Sequence, residues 1–338
     1  MKSRLRNSRP AESLPETEVE PDVGITEVVT SFDDRGADQP LEDGLPRSPN
    51  VAPTRPDLGP PAPGPQSTSQ PGSGFGLIIS VAISAVVFVL AIYATGSPTA
   101  NPLPLAQTTN ALFWTVGVVA TLAAAAGAIF ADRTASRARE RGALDTHRVT
   151  TAWIVPVVST ATAIVLVATF HNTTMIVGGP LIAFLGNAGA LLSRDLLDDV
   201  DEPAQRTAAA IHALVIHSVA FLALTAIYVN KMPAPVSAVL AGLAATLLAL
   251  EALERAPVDE ARGLVFALLA GGTVAAAVTP LRWWLTYGLI GGAVLFVVFY
   301  CAVGVIQTGI ERRGFRPRDG IEYGLVPLAA FIVLAIAA

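Results

Sequence analysis

From Phe75 onward the chain is a train of long apolar runs, and the gaps between them alternate between arginine-bearing and nearly charge-free. A run of about 20 apolar residues crosses the hydrocarbon core of a bilayer as a helix, because every backbone N–H and C=O must find its partner inside the segment. Nine spans fit this pattern: residues 75–95, 110–131, 149–170, 174–193, 207–229, 235–253, 262–280, 283–308 and 322–338. The last is the shortest, near the lower limit for a crossing. The fold expected is an all-α, polytopic transmembrane bundle of about nine helices with a disordered N-terminal tail.

The charges orient the bundle. Short cytoplasmic loops are enriched in Lys and Arg. If the N-terminus is inside, loops 132–148, 194–206, 254–262 and 309–321 are cytoplasmic and carry thirteen arginines, Arg133, Arg194, Arg255 and Arg312 among them. The opposite loops carry only Lys231 and Arg282. Tyr93, Trp114, Phe170, Tyr228, Trp283 and Trp284 fall at the outer boundary, as an interfacial aromatic belt should. The expected topology is N-terminus cytoplasmic and C-terminus extracytoplasmic, in a bacterial plasma (inner) membrane.

Residues 1–74 are different in kind. They hold 12 of the 27 acids and 13 of the 25 prolines, so the net charge of −5 belongs to this tail. No helical or strand period persists in it, and it reads as a disordered, acidic, proline-rich cytoplasmic segment. Its basic start is followed by acid and proline with no apolar core, which is not the pattern of a cleavable signal peptide. The acidic balance argues against nucleic acid as a partner. The partners expected are the lipid bilayer, other membrane subunits, and cytoplasmic proteins met by the tail.

Polar residues inside the spans are few, and each is a functional candidate because it is costly there. His217 lies near the middle of the fifth span and His212 nearer its inner end. A spacing of five turns them about 140° apart, so they do not share a face. Asn187 lies in Val177–Leu192, where Gly178, Gly179 and Pro180 can kink the helix and Gly186 and Gly189 permit close backbone approach. Helices interrupted in this way line substrate sites in transporters, while a tight helix seam is the plainer account of the same residues. Glu251 stands near the inner end of the sixth span and is expected to reach the interface. With no carboxylate or cation placed inside the bilayer, the sequence speaks against an ion-coupled pump.

Two cytoplasmic loops are acidic. Asp195, Asp198 and Asp199 share one face if the fourth helix continues, and such carboxylates can hold Mg²⁺ against a diphosphate. The loop after the sixth span adds Glu254, Asp259 and Glu260. In this layout the chain resembles the intramembrane prenyltransferases of the UbiA type, which carry aspartate-rich motifs at cytoplasmic helix ends. It departs from them in having Asp132-Arg133 and Asp259-Glu260 where that family has its Asn-Asp start and spaced aspartates, so no catalytic role is carried over. Cys301 is the single cysteine, which rules out a disulfide within the chain. No cofactor is implied. The function expected is that of a multi-pass membrane protein, more non-enzymatic than enzymatic, binding a partner subunit, a lipid or an apolar ligand. The alternatives are a transporter with its site at Gly178–Pro180, Asn187, His212 and His217, and a Mg²⁺-dependent prenyl- or phospho-transferase using the acidic loops.

Overall fold

The computed structural model describes residues 71–94, 111–139, 150–170, 172–197, 202–283 and 289–312, with 321, 324–325, 328–330 and 332. Residues 1–70 of the expected tail (1–74) and most of the expected ninth span lie outside the described residues, and residues 71–74 of that tail already belong to the first helix. The described part of that span is helical at Leu325, Leu328 and Ile332, all exposed, as is Ile321 just before it.

Among the described residues eight long helices follow one another: α1 (Pro71–Ala94), α2 (Ala111–Arg139), α3 (Ile154–Phe170), α4 (Thr173–Leu197), α5 (Glu202–Val229), α6 (Ala234–Leu253), α7 (Glu260–Trp283) and α8 (Leu289–Arg312). Seven are long and apolar enough to cross a membrane, and α3 is shorter. No strand occurs among the described residues. The protein is a helical membrane bundle. Its outer faces present Val89, Leu122, Val177, Leu214, Val239 and Leu269, each more than half exposed. An apolar surface of that extent is suited to lipid and not to water.

α3 organises the bundle. Thirteen of its 17 residues are buried, which is the signature of a helix surrounded by others. It touches α1, α2, α4, α5 and α6. Ile154, Val155 and Val158 join one apolar core with α4 to α8, and Ala163, Ile164 and Val167 join a second with α1, α2 and α4. The expected span started at 149, but the helix starts at Ile154. Thr150 Oγ1 accepts the Ala152 N–H at 3.2 Å in a turn just before it. Pro156 then sits in the first turn, where its missing N–H costs nothing.

The seams are set by small residues. A Cβ on Gly186 of α4 would collide with Ser159 of α3, and one on Gly271 of α7 would collide with Thr246 of α6. α6 and α7 consequently form the most extensive helix pair of the bundle. Pro180 does not break α4, which runs unbroken through it. The Pro180 carbonyl instead accepts the Ser84 hydroxyl of α1 at 2.9 Å. At the far end of α3, Asn230 Nδ2 donates to Thr169 Oγ1 at 2.9 Å, and Lys231 turns the chain into α6 with a positive φ of 45°.

Candidate functional site

The chemistry of the bundle gathers at the end where α4 and α6 finish and α3 begins. Arg194 occupies the last turn of α4 and is only 7% exposed. Glu251 stands in the last turn of α6, 3% exposed, and Glu254 caps that helix three residues on. An i, i+3 spacing places both carboxylates on one side of α6, and the Arg194 guanidinium spans them. Its Nε is 3.4 Å from Glu251 Oε1, its Nη2 pairs with Glu254 Oε2, and Nη2 also donates to Thr151 Oγ1 at 3.0 Å. A planar five-donor fork suits this divided task, which a lysine could not perform.

His212 of α5 closes the cluster. Its Nδ1 is 2.9 Å from Ser193 Oγ and its Nε2 is 3.5 Å from Glu251 Oε1. Neither Glu251 oxygen meets hydrogen-bond geometry with any described group, and Arg194 Nη1 is likewise buried without a hydrogen bond. Glu251 Oε1 therefore sits in Coulombic reach of the Arg194 guanidinium, and both carboxylate oxygens keep unused acceptor capacity. Two expectations are corrected here. Glu251 does not reach the interface, because the α6 side chains around it, Leu248, Ala249 and Leu253, are buried with it. Arg194 is not a loop base in solvent, because α4 extends to Leu197 and turns Ser193, Arg194 and Leu197 inward. The bundle does hold buried ionisable groups, and the expected scarcity of them is corrected with these two.

A cavity of about 190 Å³ opens beside this cluster, lined by Thr151, Leu250, Leu253, Glu254, Glu260 and Leu264, with Val258, Asp259 and Gly263 completing the wall. Its floor is apolar and its rim carries carboxylates. Asp259 on that rim is exposed and pairs with Arg262 at 3.7 Å. A second recess of about 280 Å³ is almost wholly apolar and runs between α3, α5 and α6, past Val158, Thr162, Ala223, Leu240 and Leu247. Leu247 of the recess and Leu250 of the cavity are one turn apart on α6.

The residues singled out from the sequence separate into different places. Asn187 is buried between α4 and α3, where Nδ2 donates to Thr160 Oγ1 at 3.0 Å and to the Ala183 carbonyl at 2.7 Å. Gly179 is buried against Val167 and Val87, Gly178 is half-buried, and Gly189 packs on Val215. His217 lies on the α5–α8 seam. Its Nδ1 donates to the Ala213 carbonyl at 2.7 Å, and the Phe296, Phe299 and Tyr300 rings surround it at 5.6–6.2 Å. Asn187 and His217 line neither the acid-rimmed cavity nor the apolar recess. Asp195 stands beside Asp132 at a small cleft on the other side of Arg194. Asp198 and Asp199 lie outside the described residues. Among the described residues no three His, Cys, Asp or Glu side chains converge as a metal site would require.

Sequence reasoning passed over the Arg194–Glu251–Glu254 cluster. Its signal was present in Leu248–Glu254, where an acid is flanked on both sides by apolar residues and followed by another at i+3.

No curated protein and no solved structure matches the chain. Residues 99–337 match the model of a family described as protein of unknown function (DUF5656), a stretch that takes in α2 to α8 and every residue of the charged cluster. The chain belongs to the DUF5656 family.

Proposed function

We propose that the protein is a non-enzymatic ligand-binding protein of the bacterial plasma membrane, oriented with its N-terminus and the Arg194 end in the cytoplasm, and that its ligand is an amphiphile with a cationic head. The observation that carries this reading is the cavity beside Glu254. It combines an apolar floor with carboxylates at its rim, and the α6 face that forms it continues into an apolar recess open to lipid. Along α6, Leu240 to Glu254 spans about 21 Å at 1.5 Å per residue, a length that suits an acyl chain lying in the seam. Pockets of this kind bind by apolar contact and select by a few placed polar groups. Here those groups are the carboxylates of Glu254, Asp259 and Glu260, whose negative charge favours a cationic head over an anionic one.

The test uses the full chain in nanodiscs of phosphatidylcholine. Spin-labelled alkyl-trimethylammonium, alkyl sulfate and alkyl alcohol of equal chain length are titrated in turn. Saturable immobilisation of the cation alone, weakened by Glu260→Gln and abolished by the cavity-filling Leu264→Trp, is the expected result. Equal partitioning of all three probes, or indifference to both substitutions, would reject the reading. Both positions are exposed, so the variants leave the bundle core untouched.

A further inference from the structure

We infer that the head taken by the cavity at the α6–α7 turn is a primary ammonium, a donor of N–H hydrogen bonds, and not a quaternary one. The inference rests on the reading of that cavity as a site for a cationic amphiphile, and it names the head. Two observations carry it. The first is the composition of the wall. The cavity of about 190 Å³ is lined by nine described residues, and none of them is aromatic. Quaternary ammonium groups are recognised by cages of aromatic rings, since a fully methylated nitrogen has no hydrogen to donate. This wall offers hydrogen-bond acceptors instead, the carboxylates of Glu254, Asp259 and Glu260 and the hydroxyl oxygen of Thr151. A carboxylate gains most from an N–H donor, in a charge-assisted bond with nitrogen and oxygen about 2.7–2.9 Å apart. A trimethylammonium puts methyl groups in that space. It keeps only the Coulombic attraction, weakened by the longer distance.

The second observation is which acceptors are already used. Thr151 Oγ1 accepts from Arg194 Nη2 at 3.0 Å, and Glu254 Oε2 pairs with the same guanidinium. Asp259 stands 3.7 Å from Arg262. Glu260 has no ion pair or hydrogen bond with any described residue. Of the other bases at this end, Arg255 has a contact of its own, and none of Arg206, Arg255 and Arg262 lines the cavity. The arginines therefore leave Glu260 to a ligand. Glu254 also keeps capacity, because a carboxylate has about four lone-pair sites. Glu254 caps the end of α6 and Glu260 lies in the first turn of α7, so the two carboxylates come from opposite sides of the turn. The three N–H donors of a primary ammonium can meet both at once.

The experiment counts those donors. Full-length protein in phosphatidylcholine nanodiscs is titrated with spin-labelled alkylamines of one chain length bearing no, two or three methyl groups on nitrogen. All carry one positive charge at neutral pH, and the alkyl alcohol is the uncharged reference. Binding is corrected for partition into protein-free nanodiscs. The primary ammonium should bind about tenfold more tightly than the trimethylammonium, with the dimethylammonium between them, the gain expected of one added charge-assisted hydrogen bond. Glu260→Ala should cut that ratio to about threefold or less. Leu264→Ala, which trims the apolar floor, should weaken all the amines alike and leave the ratio unchanged.

Equal affinities for the primary and quaternary probes, both above the alcohol, would overturn the inference and leave the cationic reading standing. Amines that bind no better than the alcohol would defeat both. A ratio unmoved by Glu260→Ala would also overturn the inference. Nanodiscs of mixed phosphatidylcholine and phosphatidylethanolamine then separate two sources of the head. Displacement of the bound alkylammonium by phosphatidylethanolamine identifies a bilayer aminophospholipid, failure to compete identifies a single-chain amine, and either result upholds the ammonium head.

Discussion

The Arg194 guanidinium of α4 stands 3.4 Å from the Glu251 carboxylate of α6, and both side chains are almost completely enclosed by the bundle. The pair ties together two helices that otherwise share no extensive interface. Ion pairs of this kind are poor sources of net stability, but breaking one side of them is costly, because it leaves the other charge buried alone. This asymmetry makes the cluster testable.

Arg194→Met should destabilise the protein by about 3–5 kcal/mol, the cost of orphaning a buried charge. Adding Glu251→Gln and Glu254→Gln to it should recover most of that loss. Chemical unfolding in detergent micelles, read by far-UV circular dichroism, compares the single and triple variants. A single variant within experimental error of wild type would show that Arg194 is not enclosed.

Gly186→Val should cost about 1–3 kcal/mol, the usual penalty of overpacking, because its side chain would press on Ser159 of α3. Ser159→Gly should partly rescue it. Thermal melting of the two single variants and the double variant checks the coupling, and simple additivity would count against the close α3–α4 approach.

Asn187→Ala and Thr160→Ala each remove one end of the hydrogen bond between α4 and α3. A double-mutant cycle should give a coupling of about 0.6 kcal/mol, typical of such bonds within membranes. His217→Phe, on the separate α5–α8 seam, should add to either without coupling. Measured coupling between His217 and Asn187 would mean that the two act at one site.

Single cysteines at Lys231 and at Asp259, placed in a Cys301→Ala background, mark the turns at opposite ends of α6. A membrane-impermeant maleimide should label the Lys231 position from outside and the Asp259 position only after permeabilisation. Labelling of both from the same face would break the proposed topology.

The sequence by itself determined the helical membrane bundle. Apolar runs of spanning length leave the backbone no other way to satisfy its hydrogen bonds, and α1 and α4 to α7 begin and end close to their predicted bounds for that reason, whereas α2 runs on to Arg139 and α8 begins only at Leu289. The capacity of Gly186 to bring two backbones close was also legible, since a missing side chain acts locally. The partner of each polar group was not legible. Arg194 and Glu251 lie on helices that are not neighbours in the chain, and a one-dimensional charge count places both at loop edges. Only the packing of α3, α4, α5 and α6 around one another decided that these residues face inward. It also decided that His212 joins them and that His217 and Asn187 point to different seams. The physical reason is that burial and pairing of a charge depend on the rotation of each helix about its own axis, which is set by contacts with its neighbours and hardly at all by its own hydropathy.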